Sequence, residues 1–185
     1  MAQIIKSNSK HLSDIHLVLV VMILVREFNF PNRRIVISIL LLQQQTVIEA
    51  TLRRLLNLPT LKQLTVVLSP DDSYWRELQL EQHLAEAFTT PVVTAIGAEQ
   101  RSQSVLNGLI SLSPQAADND WVMVHDAARP CVRVEEIVEL LSAIEGSEVG
   151  GLLASPVENT LKRAVCSDAG ANRSESTETV DRSTL

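Results

Sequence analysis

The feature that most restricts the fold is a series of short, largely apolar runs: LVLVV at 17–21, LTVVL at 64–68, PVVTAI at 91–96, WVMVH at 121–125 and GGLLASPV at 150–157. A strand with one wet face alternates apolar and polar residues. These runs are apolar on both faces, so both faces must be covered. The segments between them carry a different period. In QTVIEATLRRLLNLP, Ile48, Leu52, Leu55 and Leu56 fall at i, i+4, i+7 and i+8, which predicts a helix. Thr46 and Glu49 have capping-box spacing at its start, and Pro59 lies just past its end. Helices are also expected over 73–87, where Trp75, Leu78 and Leu80 stand among polar neighbours, and over 101–112. In VEEIVELLSAI, Val134, Ile137, Val138, Leu141 and Ile144 share one helical face. Strand–helix alternation of this kind implies an α/β fold: a Rossmann-like, open, mostly parallel sheet with helices on both faces.

Residues 157–182 depart from the alternation. TLKRAV and TETVDR flank the polar stretch CSDAGANRSES, a pattern that suits a projecting β-hairpin arm better than another crossover helix. The 185 residues suffice for one domain with a real core, so 1–185 reads as a single domain carrying that arm.

Composition excludes several classes of function. The formal charge is −6 with no basic tract, which argues against a nucleic-acid partner. Cys131 and Cys166 lack metal-ligand spacing, so a reducing compartment is the default. The apolar stretches 17–25 and 35–42 are each far short of the roughly 20 residues a membrane span needs, and REFNFPNRR separates them. Asp14 precedes the first stretch and no small-x-small cleavage site follows it, unlike a signal peptide. Both stretches read as buried strand, and the chain as cytoplasmic with no membrane partner.

Ligands of open parallel sheets sit outside the carboxyl ends of the strands. Asp126 directly follows 121–125, so its carboxylate should project into that crevice. Ala127 and Ala128 would let a ligand approach the backbone, and Pro130 suits the first turn of a following helix, whose N–H groups attract anions. A carboxylate among such amides makes sense if Mg²⁺ joins it to a phosphate, since Mg²⁺ takes one or two carboxylates and completes its shell with phosphate oxygens and water. The competing reading is that Asp126 caps the helix and pairs with Arg129 on the surface. Gly97-Ala98 after a strand permits a tight turn, with Ser104 on the following helix facing the same edge; such a turn is more often plain loop geometry.

Together these segments resemble one family. VHDAARPCV (124–132) looks, nearly letter for letter, like the nucleotide and metal segment of the 2-C-methyl-D-erythritol 4-phosphate cytidylyltransferases of isoprenoid biosynthesis. GAEQRSQSVLNGL is similar to that family's G-G-x-E-R-x-x-S-V stretch, with Ala98 for the second glycine and Gln100 for the glutamate. PVENTLKRA resembles its P-V-x-D-T-x-K-R, with Asn159 for the aspartate, and TVDR (179–182) matches its substrate-arm motif. The resemblance runs over 43–182 and implies transfer of a cytidylyl group from CTP to methylerythritol phosphate, with release of pyrophosphate. By carry-over, Asp126 holds Mg²⁺ against the triphosphate; Gly97, Ala98, Ser104 and Ala127 line the cytidine side; and Thr160 and Arg182 hold the methylerythritol phosphate, with Arg182 aiming the attacking group. The resemblance also implies a homodimer through the 157–182 arm. The alternatives are a non-catalytic remnant that folds or dimerises without turnover, and a related sugar-nucleotidyltransferase.

The family opens with P-A-A-G-x-G-x-R and P-K-Q-Y, whose amides and cations wrap the triphosphate. Here the first glycine is Gly97, and no lysine lies between Lys10 and Lys62. Met22, Ile23 and Leu24 stand where the triphosphate needs space, β-branched residues do not adopt φ > 0, and activity is expected to be impaired. Codons for MILVREFNFP can be chosen so that a neighbouring frame reads Asp-Ile-Gly-Ala-Arg-Ile-Gln-Phe-Pro-Lys, which restores both elements. A frame change near residue 21, reversed near 43, would account for this, and Arg26 coincides with arginine in both frames. Resequencing the coding DNA tests it: absence of shifted glycine codons rules it out. The family also continues past T-V-D-R with L-W-x-A-x-T-P-Q and a helix, so the domain is expected to lack a closing element after Leu185.

Overall fold

Leu61–Leu68 is buried along almost its whole length, as a strand covered on both faces must be. The computed structural model of the chain describes residues 3–5, 17–22, 27–30, 33–36, 39–59, 61–112, 116, 120–165 and 175–181. In chain order the elements are β1 (Gln3–Ile5), β2 (Leu17–Met22), β3 (Glu27–Phe30), β4 (Arg33–Val36), β5 (Leu41–Leu42), β6 (Gln45–Thr46), α1 (Val47–Leu55), β7 (Leu61–Leu68), α2 (Tyr74–Glu77), α3 (Leu80–Ala87), β8 (Val92–Ile96), α4 (Arg101–Leu112), β9 (Trp121–Asp126), α5 (Val134–Ala143), β10 (Gly151–Leu152), β11 (Leu161–Val165) and β12 (Glu175–Val180). Two compact units divide the chain, Met1–Leu153 and Ala154–Leu185.

In the first unit a six-stranded sheet has the order β10-β1-β9-β2-β7-β8. The pairs β9–β2, β2–β7 and β7–β8 are parallel, as expected of an open α/β sheet. Period-2 alternation divides the core between the faces. Leu64, Val66 and Leu68 of β7 join Trp121 and Met123 of β9 under α1, α3 and α5, while Val67 and Val124 pack with Leu112 of α4 on the other face. Helices therefore cover both sides. The start of α1 follows its sequence signal, because the Thr46 side chain accepts a hydrogen bond from the Glu49 N–H at 3.3 Å.

Four expectations about these elements need correction. The helix expected over 73–87 is two helices, broken at Gln79, whose φ is 49°. Trp75 and Leu80 are five residues apart, about 140° around a continuous helix, so both can be buried only if the helix restarts. In α5 the buried stripe is Ile137, Leu141 and Ile144, and Val138 is exposed, a further step round the helix. The run 35–42 is not one buried strand: Val36 ends the β3–β4 hairpin, and Leu41–Leu42 pair with Gln45–Thr46 around a turn in which Gln43 has φ 60°, leaving Leu40, Leu41 and Leu42 exposed. GGLLASPV contributes only Gly151–Leu152, held antiparallel against β1, which itself lies antiparallel between β9 and β10. Three residues, QII, give too short a pattern to announce that insertion.

The second unit contains the expected hairpin. β11 and β12 pair antiparallel, Leu161 opposite Val180, with a register irregularity between Arg163 and Ala164. Lys162 Nζ donates to Thr179 Oγ1 at 2.6 Å and Arg163 pairs with Glu178 across the strands.

Candidate active site

The chain runs from β2 to β7 and β8 on one side, then returns to place β9 on the other side of β2. That reversal makes the β2/β9 boundary a topological switch point, where ligands of open α/β sheets bind. Met22 and Asp126 pair in register as the last residues of these two strands, so Asp126 lies at the carboxyl edge of the switch point.

Both carboxylate oxygens of Asp126 carry a guanidinium. Arg129 Nε lies 2.8 Å from Oδ2, and Arg101 Nη2 lies 3.5 Å from Oδ1. The Asp126 side chain is 27% exposed, against 52% for Arg101 and 58% for Arg129, so the cluster opens to solvent. The expected pairing with Arg129 is present, but Asp126 does not cap a helix. α5 begins at Val134, and Pro130 lies in the preceding loop rather than in its first turn. The intervening residues 127–133 form a turn and loop, so the amides of α5 do not directly follow Asp126.

Behind the carboxylate the loop is fixed. Thr51 Oγ1, on the buried face of α1, donates to the Ala127 carbonyl at 2.7 Å. Ala127 is itself buried, whereas Ala128 is exposed. The other candidate segment is the turn after β8, joined to this loop by the Arg101–Asp126 contact. The Ala98 N–H donates to Ser104 Oγ at 2.9 Å, and the Ser104 hydroxyl is within 3.1 Å of the Gln100 carbonyl. Gly97 N–H donates to the Leu68 carbonyl at 2.7 Å, which ties the turn to β7. A Cβ on Gly97 would lie 3.0 Å from both the Leu68 carbonyl oxygen and Ser104 Oγ. Gly97→Val is therefore expected to destabilise the fold by about 1–3 kcal/mol by overpacking, measurable by urea unfolding. An unchanged midpoint would show that the turn yields freely.

His125, beside Asp126, is 1% exposed, and its Nδ1 has no hydrogen-bond partner among the described residues. Burial pushes its pKa down to about 4, against the opposing pull of the Asp126 carboxylate. The unfolded chain binds a proton near the ordinary value of 6.5 and the folded chain does not. Stability should thus rise with pH from about 4 to 6.5, by on the order of 3 kcal/mol if this group acts alone. His125→Gln should remove that part of the slope in a pH series of unfolding curves; an unaltered slope would contradict it.

Thr160 is exposed in the loop just before β11, in the second unit, and Arg182 lies outside the described residues, as do Ile23, Leu24 and Arg26. Asp126 and Ala127 thus stand at the end of β9, and Gly97, Ala98 and Ser104 follow β8, with β2 and β7 between the two strands. The structure adds two residues that sequence reasoning did not single out. Arg101, first in α4, links the two loops across 25 positions in sequence. Thr51 supports the Ala127 carbonyl, and its place inside the apolar stripe Ile48, Leu52, Leu55 was the available signal. Among the described residues no group of three or more His, Cys, Asp or Glu side chains is placed to hold a metal. The one part-exposed carboxylate of Asp126 suits a Mg²⁺ ion that takes its other ligands from phosphate and water rather than a protein cage.

An open, mostly parallel sheet with a carboxylate and arginines at its switch point defines an α/β class of domain whose ligands bind at that edge. Residues 37–185 match the family model of IspD, 2-C-methyl-D-erythritol 4-phosphate cytidylyltransferase, and the chain belongs to that family. It is 42% identical over 120 residues to the 2-C-methyl-D-erythritol 4-phosphate cytidylyltransferase of Vibrio vulnificus, a match covering 65% of this chain and 48% of that protein. With the Pseudomonas putida protein of the same name it is 44% identical over 142 residues, 76% of this chain and 55% of that one. The chain thus spans about half the length of these curated relatives. A crystal structure of 4-diphosphocytidyl-2C-methyl-D-erythritol synthase superposes with a TM-score of 0.68 at 28% identity, covering 93% of this chain and 71% of the other. A synthase structure from Anaerococcus prevotii, 16% identical with a TM-score of 0.65, supports the fold alone.

Proposed function

We propose that the chain binds CTP at the β2/β9 switch point and transfers its cytidylyl group to 2-C-methyl-D-erythritol 4-phosphate, releasing pyrophosphate. The observation that carries this reading is Asp126 at the carboxyl edge of β9, part-exposed and flanked by Arg101 and Arg129. The attacking group is the substrate phosphate, the bond broken is that between the α-phosphorus and the bridging oxygen of CTP, and the electrons leave on pyrophosphate. Asp126, with phosphate oxygens and water, would hold Mg²⁺, which supplies charge neutralisation when bound. Gly97, Ala98, Ser104 and Ala127 line the cytidine side, the first three through a turn already fixed by Ser104. Thr160 and Arg182 hold the methylerythritol phosphate, and the 157–182 arm joins two copies. Among the described residues no helix is long and apolar enough to cross a membrane; the site of action in this reading is the cytoplasm.

Turnover is slow in this reading. The sequence supplies no glycine before Gly97 to form an amide cradle, and loss of even one preorganised donor costs about 3 kcal/mol in the transition state. Pyrophosphate release from CTP and 2-C-methyl-D-erythritol 4-phosphate is the test. Slow but CTP-specific release is expected. Release at the rate of an intact family member removes the claim of impairment, and release only with a sugar phosphate removes the acceptor assignment. Mg²⁺–CTP binding with no release would leave the non-catalytic alternative.

A further inference from the structure

We propose that Arg101 is the exchangeable partner of Asp126: it occupies Oδ1 until a cation–polyphosphate arrives, then turns its guanidinium to the phosphate oxygens. The inference rests on the nucleotide reading above and adds a phosphate-contacting residue to it. Its basis is the asymmetry of the two ion pairs. Arg129 holds Oδ2 at 2.8 Å from only three residues away, through a chain that also joins the Arg129 N–H to the Asp126 carbonyl at 3.2 Å. Arg101 reaches Oδ1 from another element at 3.5 Å, at the outer limit of a hydrogen bond.

The longer contact is the one a divalent cation would displace, because its hydrogen-bond geometry is poorer and a pair this exposed is weak. A displaced Arg101 is already in place for an anion. It opens α4, directly after the turn fixed by Ser104, and α4 packs beneath β2, β7 and β8, so its backbone is anchored while its side chain is 52% exposed. A planar guanidinium matches two phosphate oxygens at once, which an ammonium does not. No bond is made or broken in the exchange: Oδ1 passes from a guanidinium to the cation, and the guanidinium passes to phosphate oxygens.

Calorimetry on the full chain tests this with three probes in the presence of Mg²⁺: CTP, CMP and inorganic tripolyphosphate. Arg101→Gln should weaken CTP and tripolyphosphate by about tenfold while leaving CMP within about twofold. Arg101→Lys should recover part of the loss, and thermal unfolding of both variants should stay close to that of the parent. Equal weakening of CTP and CMP would mean that Arg101 only shapes the loop and would overturn the proposal, as would no weakening of either. If the parent binds tripolyphosphate but not CTP, the cytidine reading fails while Arg101 keeps its phosphate role. Binding of none of the probes would overturn both.

Discussion

Asp126→Asn is expected to lower Mg²⁺–CTP affinity and pyrophosphate release by about 100-fold, with little change in thermal stability. The two halves of this expectation have separate causes. The substitution keeps the size of the side chain but removes the negative charge that holds a hard divalent cation. The fold does not depend on that charge, because its ion pairs with Arg101 and Arg129 involve arginines more than half exposed, and such pairs contribute at most about 1 kcal/mol. A large loss of stability with unchanged nucleotide binding would instead mark Asp126 as a loop staple.

Trp121→Ala is expected to have the largest effect on stability, about 3–5 kcal/mol, or a fall in Tm of about 10 °C. Trp121 is 1% exposed in the larger core cluster, against Met123 and the helices over that face. Its truncation would leave a cavity walled by sheet and helix, neither of which can collapse into it. Trp121→Phe should lose far less, because it keeps most of the apolar area and also removes a buried indole Nε1 that has no partner among the described residues. Urea unfolding of both variants reads the difference; equal losses would show that the indole N–H is satisfied in solution. Trp121 begins β9 and Asp126 ends it, about 16 Å apart along the strand, so folded Trp121→Phe should bind nucleotide as the parent does.

The distinction between stability and site follows how much of each was legible in the sequence. Doubly apolar runs announced β7 and β9 because burial on both faces is written into composition residue by residue. The Thr46 cap and the stripe of α1 were legible for the same reason: their partners are three or four positions away. What was not legible depends on distant partners. The insertion of Gln3–Ile5 between β9 and β10 is fixed by pairing with residues more than a hundred positions on. The left-handed Gln79 is forced by the need to bury both Trp75 and Leu80, not by any preference of glutamine. Pro130 looked like a helix start because proline fits one, yet the loop runs three residues further before α5 begins at Val134. At the site, Asp126 was legible from the end of its strand, while the contact from Arg101 required knowing that α4 crosses beneath β2.

The central claim is that the edge of β9 holds a magnesium–nucleoside triphosphate through Asp126. Titration of the full chain with CTP, with and without Mg²⁺, tests it most directly. Saturable binding that disappears on chelation, and is lost in Asp126→Asn, is the predicted result. Binding of equal strength with the ion removed, or in the Asp126→Asn variant, would contradict it.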